Sequence, residues 1–222
     1  MKQPQVIFLD AVGTLFDIKG SVGEVYADIA RQFGVEVSGE AVNAAFFQSF
    51  AAASPPMFPG VKFEDISEYE YQWWQVVALD TFQRVGVVEK FADFSTFFDY
   101  LYSHFATAKP WFVYCDVLPA LQYWQRRGIE LGIISNFDSR LYLVLAALEL
   151  EEFFTSITIS TEVGAAKPNR HIFTTSLSKH NCLAENAWHI GDSFKEDYQG
   201  ATSAGLRAIL LKRYAGERVR FL

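Results

Sequence analysis

The sequence predicts a doubly wound α/β fold, a parallel sheet with helices on both faces, interrupted early by an all-helical insert. Three observations carry this prediction. Short apolar runs recur at 6–9, 129–135, 156–161, 187–190 and 207–211, and unbroken runs of this kind suit strands buried on both faces. Helical patterns separate the later runs, and such alternation implies βαβ units. Between about residues 18 and 107 the rhythm stops and the chain reads helical.

Each element has its own local signal. The first run, VIFL, ends at Asp10, and Gly13 supplies a turn. In the insert, helices are predicted over 22–33, 39–53, 66–85 and 95–105, with the proline-rich SPPMFPG at 54–60 between the second and third. The insert is rich in aromatics, among them Tyr69, Tyr71, Trp73, Trp74, Phe97 and Phe98, and core packing is the expected use of them. Its two connections, near 17–20 and 106–112, are expected to act as hinges. A helix over 118–127 follows. The next, over 140–150, comes after Asp138 and Ser139, both good N-caps. A helix over 171–179 follows Pro168, as helix N-termini often do. The last, over 194–204, ends at Gly205, a C-cap residue. The predicted organisation is a core of 1–17 and 108–222 with an insert of 18–107.

Composition bounds the function. The chain has 222 residues, half of them hydrophobic, enough for one sizeable domain with an insert and a full core. Its net charge is −7, from 19 basic and 26 acidic residues. An acidic surface repels phosphate backbones, so nucleic acid is not an expected partner. Cys115 and Cys182 lack metal-ligand spacing and are expected to be buried thiols. The four histidines are scattered, and His189, inside a strand, is expected to pack in the core. No apolar stretch approaches the ~18 residues that cross a bilayer, and the N-terminal run is too short for a signal peptide. The expected compartment is the cytoplasm, with no membrane partner.

Ligands of open α/β sheets bind at the carboxyl ends of the strands. Polar residues gather at four such places here. Asp10, Gly13 and Thr14 follow the first strand; Ser135, Asn136 and Asp138 follow the second. Lys167, in AAKPNR, comes after the third. Gly191, Asp192 and Ser193 follow the fourth, with Asp197 five residues past Asp192. Each alone is explained by a cap or turn. Together they form a set that can bind a divalent cation and a phosphate, and attack the latter.

These motifs, in this order, resemble the haloacid dehalogenase-like hydrolases. FLDAVGTLFD (8–17) is similar to that family's first motif, GIISN (132–136) to its second, Lys167-Pro168 to its third and GDSFKED (191–197) to its fourth. The resemblance implies a Rossmann-like core with a helical cap that closes over the site. It also implies a small phosphorylated substrate. Asp10 would be the nucleophile, forming an acyl-phosphate. Mg²⁺ would screen the two negative charges, held by the Asp10 and Asp192 side chains and the main-chain carbonyl of Val12. Lys167 would neutralise charge on the nucleophile and the transferring group. Ser135 and the N–H of Asn136 would bind phosphate oxygens. Thr14 would bind there too or brace the first loop. Asp197 would lie in an outer shell, orienting a water or Lys167.

The sequence departs from the family pattern at one position. The phosphatases carry a second Asp two residues after the nucleophile, to protonate the leaving oxygen and later activate water. Here that position is Val12, which cannot transfer a proton. General acid–base catalysis contributes about 10²–10⁴-fold. Alkyl phosphates should therefore be slow substrates, and aryl or acyl phosphates less affected. Three readings follow: a Mg²⁺-dependent phosphatase of weak or specialised activity, a non-catalytic relative that binds a ligand or a protein partner through the cap, and a 2-haloacid dehalogenase. The last needs neither acid nor metal, and the acid-rich GDSFKED argues against it.

Overall fold

A computed structural model of the chain describes residues 3–213. In chain order, β1 (Val6–Leu9) leads to β2 (Phe16–Ile18). Four long helices follow: α1 (Val22–Gln32), α2 (Gly39–Ala52), α3 (Ile66–Val85) and α4 (Phe94–His104). Then come β3 (Trp111–Val113), α5 (Val117–Gln125), β4 (Glu130–Ser135) and α6 (Arg140–Ala147). The rest comprises β5 (Ser156–Ile159), α7 (Ser160–Val163), α8 (Arg170–Lys179), β6 (Ala187–Gly191), α9 (Gly200–Ala204) and β7 (Arg207–Leu210).

Among the described residues, five strands form a parallel sheet in the order β5-β4-β1-β6-β7. The expected doubly wound α/β fold is what forms. Side chains alternate across a strand, and β1 shows the consequence. Ile7 and Leu9 enter one apolar cluster with Leu121 of α5 and Leu141 and Val144 of α6. Val6 and Phe8 enter another, with Ile172 and Phe173 of α8 and Ala201 of α9. All four β1 residues are buried, which is why the run carries no polar residue before Asp10. Each such side chain stabilises the fold by about 1.5–3 kcal/mol.

The sheet order also fixes where a ligand can sit. From β1 the chain adds β4 and β5 on one side and then crosses over to add β6 and β7 on the other, so the sheet's topological switch point lies at the end of β1. Asp10 is the first residue past it.

The helices α1–α4 gather around an apolar cluster of their own, with Tyr26, Phe46, Phe82, Phe97 and Phe98 at its centre. Ser21 caps α1 in a reciprocal box: its hydroxyl accepts from the Glu24 N–H at 3.2 Å, and the Glu24 carboxylate accepts from the Ser21 N–H at 2.8 Å. The helices meet the sheet through a buried polar junction. Arg140 binds both oxygens of Asp138, at 2.9 and 2.6 Å, and donates to the Tyr102 carbonyl. The Trp74 indole N–H donates to the same Asp138 carboxylate at 2.6 Å.

Several local expectations need correction. The connections at 17–20 and 106–112 include an antiparallel ribbon, β2 against β3, with Phe16 opposite Val113 and Ile18 opposite Trp111. Three-residue strands are too short for periodicity to reveal. The helix expected over 194–204 begins as a wide π-type turn, Phe194–Gln199, before α9. The N–H of Tyr198 reaches five residues back to the Ser193 carbonyl at 3.1 Å. The strand expected over 156–161 ends at Ile159, and the helix expected over 140–150 ends at Ala147. Ser139 does not cap α6, because its hydroxyl donates to Glu70. Asp138 accepts the Arg140 N–H instead, at 3.0 Å. Cys182 is buried, but Cys115 is exposed just past β3. No helix among the described residues is long and apolar enough to cross a membrane.

Candidate active site

Asp10 is mostly buried, with 8% of its surface exposed. β1 aims it into the crevice, and its N–H is held by the Ile190 carbonyl of β6 at 2.9 Å. Gly13 turns the chain with φ +81°, and a side chain there would come within 2.5 Å of the Asp192 carboxylate. The first and fourth motifs can thus approach each other only because residue 13 is glycine.

Lys167 lies at the centre of this arrangement. Its ammonium donates to Asp10 at 2.6 Å and to Asp197 at 2.6 Å. Burial opposes the charge, but the two carboxylates outweigh it and hold its pKa above the usual lysine value. Asn136 fixes the Lys167 backbone: its amide accepts the Lys167 N–H at 2.7 Å and donates to the Lys167 carbonyl at 3.0 Å. The Asn136 side chain therefore positions Lys167, and only its main chain is free to meet a ligand. Ser135, the last residue of β4, is buried and lines the same cavity. The Thr14 hydroxyl is buried without a hydrogen-bond partner among the described residues. Its carbonyl receives the Arg213 guanidinium at 2.5 Å.

Asp197 is fully committed. Besides Lys167 it accepts from His189 Nε2 at 2.8 Å and from the Ser193 N–H at 3.0 Å. These partners outweigh its burial and hold its pKa well below the usual carboxylate value. His189 is buried, as expected, but it is also part of the site. Desolvation lowers its pKa, so it is neutral near pH 7 and donates from Nε2. The sequence carries a signal for this pairing. Residues 189 and 191 of β6 share a face, and a side chain at Gly191 would overlap Asp197. Asp197 thus lies over the face from which His189 projects.

Carboxylate oxygens of Asp10, Asp192 and Asp197 all lie within 4.8 Å of one another. Asp192 differs from the other two in facing solvent. Partial burial and the repulsion of Asp10 and Asp197 push its pKa up to about 6. The trio holds more negative charge than Lys167 cancels, and that surplus suits a cation. A consequence can be measured without metal. An acid with a raised folded-state pKa favours the fold below its unfolded value, near 3.8, and that stability is lost as pH rises through about 6. Asp192→Asn should match wild type near pH 4 and unfold about 2–4 °C higher above pH 7. That is the shift expected of roughly 1 kcal/mol after solvent screening. Thermal melts in chelator across this range are the measurement, and equal midpoints at pH 7.5 would contradict the repulsion.

A cavity of about 1280 Å³ extends from Asp10, Val12, Ser135, Lys167 and Asp192 to the helices above, where Phe46, Phe50, Trp73 and Trp74 line it. The aromatics of the insert thus divide. Phe82 and Phe97 are fully buried in the core of the insert, whereas Trp73 and Trp74 are half-buried and border this space.

Comparison with known proteins accords with this geometry. The chain is 34% identical over 209 residues to haloacid dehalogenase-like hydrolase domain-containing protein 3 of Mus musculus, covering 94% of this chain and 82% of that protein. It is 38% identical over 95 residues to a glyceraldehyde 3-phosphate phosphatase of Methanothermobacter thermautotrophicus, 42% of each chain. The crystal structure of a phosphatase from Thermococcus onnurineus superposes with a TM-score of 0.63 at 20% identity, covering 97% of this chain and 89% of that one. The family model described as haloacid dehalogenase-like hydrolase matches residues 4–205, and the chain belongs to that family.

Proposed function

We propose that the protein is a Mg²⁺-dependent phosphatase that acts through Asp10 on a small phosphate monoester, with turnover restrained by Val12. The observation that carries this is the ion arrangement: Lys167 bridges Asp10 and Asp197 at 2.6 Å each, and Asp192 stands beside them with a raised pKa. A dehalogenase has no use for the added acid, because halide leaves without a metal.

Asp10, Asp192 and the Val12 carbonyl would hold the cation, and Asp197 is occupied in orienting Lys167. Bound Mg²⁺ would offset the charge between carboxylate and phosphate. One Asp10 oxygen is bound to Lys167, which leaves the other to attack phosphorus. The P–O bond to the leaving group breaks as the Asp10–phosphorus bond forms. Ser135 and the Asn136 N–H would hold the non-bridging oxygens, and Thr14 would support the loop beneath them. Water then attacks phosphorus, releasing inorganic phosphate and restoring Asp10. With valine at residue 12, the leaving oxygen departs as its anion. Residues 18–107 would act as the cap that excludes water and selects substrate, in a cytoplasmic setting. That surface could also meet a protein partner.

The deciding measurement is phosphate release from p-nitrophenyl phosphate. Wild type should require Mg²⁺, and Asp10→Asn should fall to the uncatalysed background. Equal slow release by both proteins would remove the proposal.

A further inference from the structure

We infer that the substrate is the phosphate ester of a flat, apolar, phenol-type alcohol of at least two fused rings, and that the helical insert binds its ring system. This inference rests on the phosphatase reading above and names the substrate class for that site.

Three observations lead to it. The first is the wall opposite Asp10. Phe46, Phe47, Phe50, Met57, Trp73 and Trp74 line the cavity there. Phe47 is 59% exposed, Phe50 40% and Met57 38%, although each faces a concave space and could have been buried or made polar. The rings already pack on one another. Phe50 meets Trp73 at 5.7 Å and Trp74 at 6.0 Å between ring centres, and Phe46 stacks on Trp74 at 6.5 Å. They form a preassembled surface whose open side faces the cavity, and aromatic pairs of this kind favour another flat ring.

The second observation is charge. The cavity's cationic side chains, among the described residues, are Lys167 and Arg140. Lys167 serves Asp10 and Asp197. Arg140 is consumed by both oxygens of Asp138 and the Tyr102 carbonyl, and lies 3.9 Å over the Tyr102 ring. Neither is left to meet a carboxylate or a second phosphate on the far end of a substrate. Asp17 and Glu196 also line the space and would repel one. Phosphorylated acids are thereby disfavoured.

The third is chemical. Val12 supplies no proton, so the leaving oxygen must be stable as an anion, as a phenolate is and an alkoxide is not. The aromatic wall and the missing acid point independently to one class. The cavity of about 1280 Å³ also exceeds the roughly 300–1,000 Å³ usual for small-molecule sites, so it has room for fused rings.

The test separates ring size from leaving-group chemistry. 2-Naphthyl phosphate and phenyl phosphate release alcohols of similar acidity but different area. Wild type with Mg²⁺ should favour the naphthyl ester by about tenfold in kcat/KM, the order expected for burying one further ring. Phe50→Ala should bring that ratio towards one, with Trp73→Leu as the second variant if the first folds poorly. In parallel, Asp10→Asn protein with Mg²⁺ is titrated calorimetrically with 2-naphthyl phosphate, phenyl phosphate and phosphoglycolate. The naphthyl ester should bind about tenfold tighter than the phenyl ester, and phosphoglycolate weakest. A kcat/KM ratio near one with Mg²⁺- and Asp10-dependent hydrolysis intact overturns the ring inference and leaves the phosphatase reading. Absent hydrolysis with tighter naphthyl binding removes the phosphatase reading and keeps the aromatic site. Absent hydrolysis with equal binding removes both.

Discussion

Lys167→Met should cost about 3–5 kcal/mol of stability at pH 7, the usual penalty for leaving a buried charge without its partner. It should also lower Mg²⁺-dependent hydrolysis by about 10²–10³-fold, as loss of one preorganised charge donor does. Lys167 is 4% exposed, and methionine keeps most of its apolar stem. What disappears is the ammonium between Asp10 and Asp197. Three carboxylates within 4.8 Å of one another then face each other without a protein cation. The effect has a defined pH dependence. Asp197 is held below its ordinary value of 3.8, so it contributes stability above about pH 4 and loses it on acidification. The gap between wild type and variant should therefore be widest near neutrality and narrow in acid. Lys167→Arg should not rescue activity, because a planar guanidinium cannot occupy a site shaped around an ammonium. Urea denaturation from pH 4 to 8, with and without Mg²⁺, measures the first effect. A loss below 1 kcal/mol at pH 7 would mean that the bridge contributes little.

Much of this site is legible in the amino-acid sequence, and the reasons are local. β1 is recognisable because four apolar residues end abruptly at a carboxylate, a pattern that a strand buried on both faces requires. Asp10, Ser135, Lys167 and Asp192 can be grouped because sheet topology puts strand ends together wherever the chain alternates strand and helix. What stays hidden depends on contacts between distant segments. The Asn136 side chain serves Lys167, which no spacing reveals. The β2–β3 ribbon is two triplets almost a hundred residues apart. His189 reads as packing because a histidine among apolar strand residues usually is. The division of insert aromatics between core and cavity wall is likewise a tertiary fact, since residues such as Phe46 and Phe50 are one helical turn apart and suit either use.

Val12→Asp should raise kcat/KM for an alkyl phosphate such as glycerol 3-phosphate by about 10²–10⁴-fold, the span of general acid catalysis. The gain for phenyl phosphate should be far smaller. The reasoning begins with position. Val12 lies two residues beyond the nucleophile, half-buried, and borders the same cavity as Asp10 and Lys167. A carboxyl there would enter an already acidic neighbourhood. Partial burial and like charge from Asp10 and Asp192 would raise its pKa, as burial and the charges of Asp10 and Asp197 do for Asp192, so the new acid would keep its proton nearer to neutral pH. That is the state in which it can protonate a departing alkoxide, and then, deprotonated, draw a proton from the attacking water. A phenolate needs less help, so the dependence of rate on leaving-group acidity should flatten in the variant. The same repulsion implies a cost: metal-free Val12→Asp should melt below wild type, and Mg²⁺ should recover part of the difference. Rates for a series of phosphate esters of graded alcohol acidity decide the matter. A uniform gain across the series would show that residue 12 acts on binding rather than proton transfer. No gain for the alkyl ester would place the restraint in the aromatic wall, which excludes that substrate before the chemistry begins.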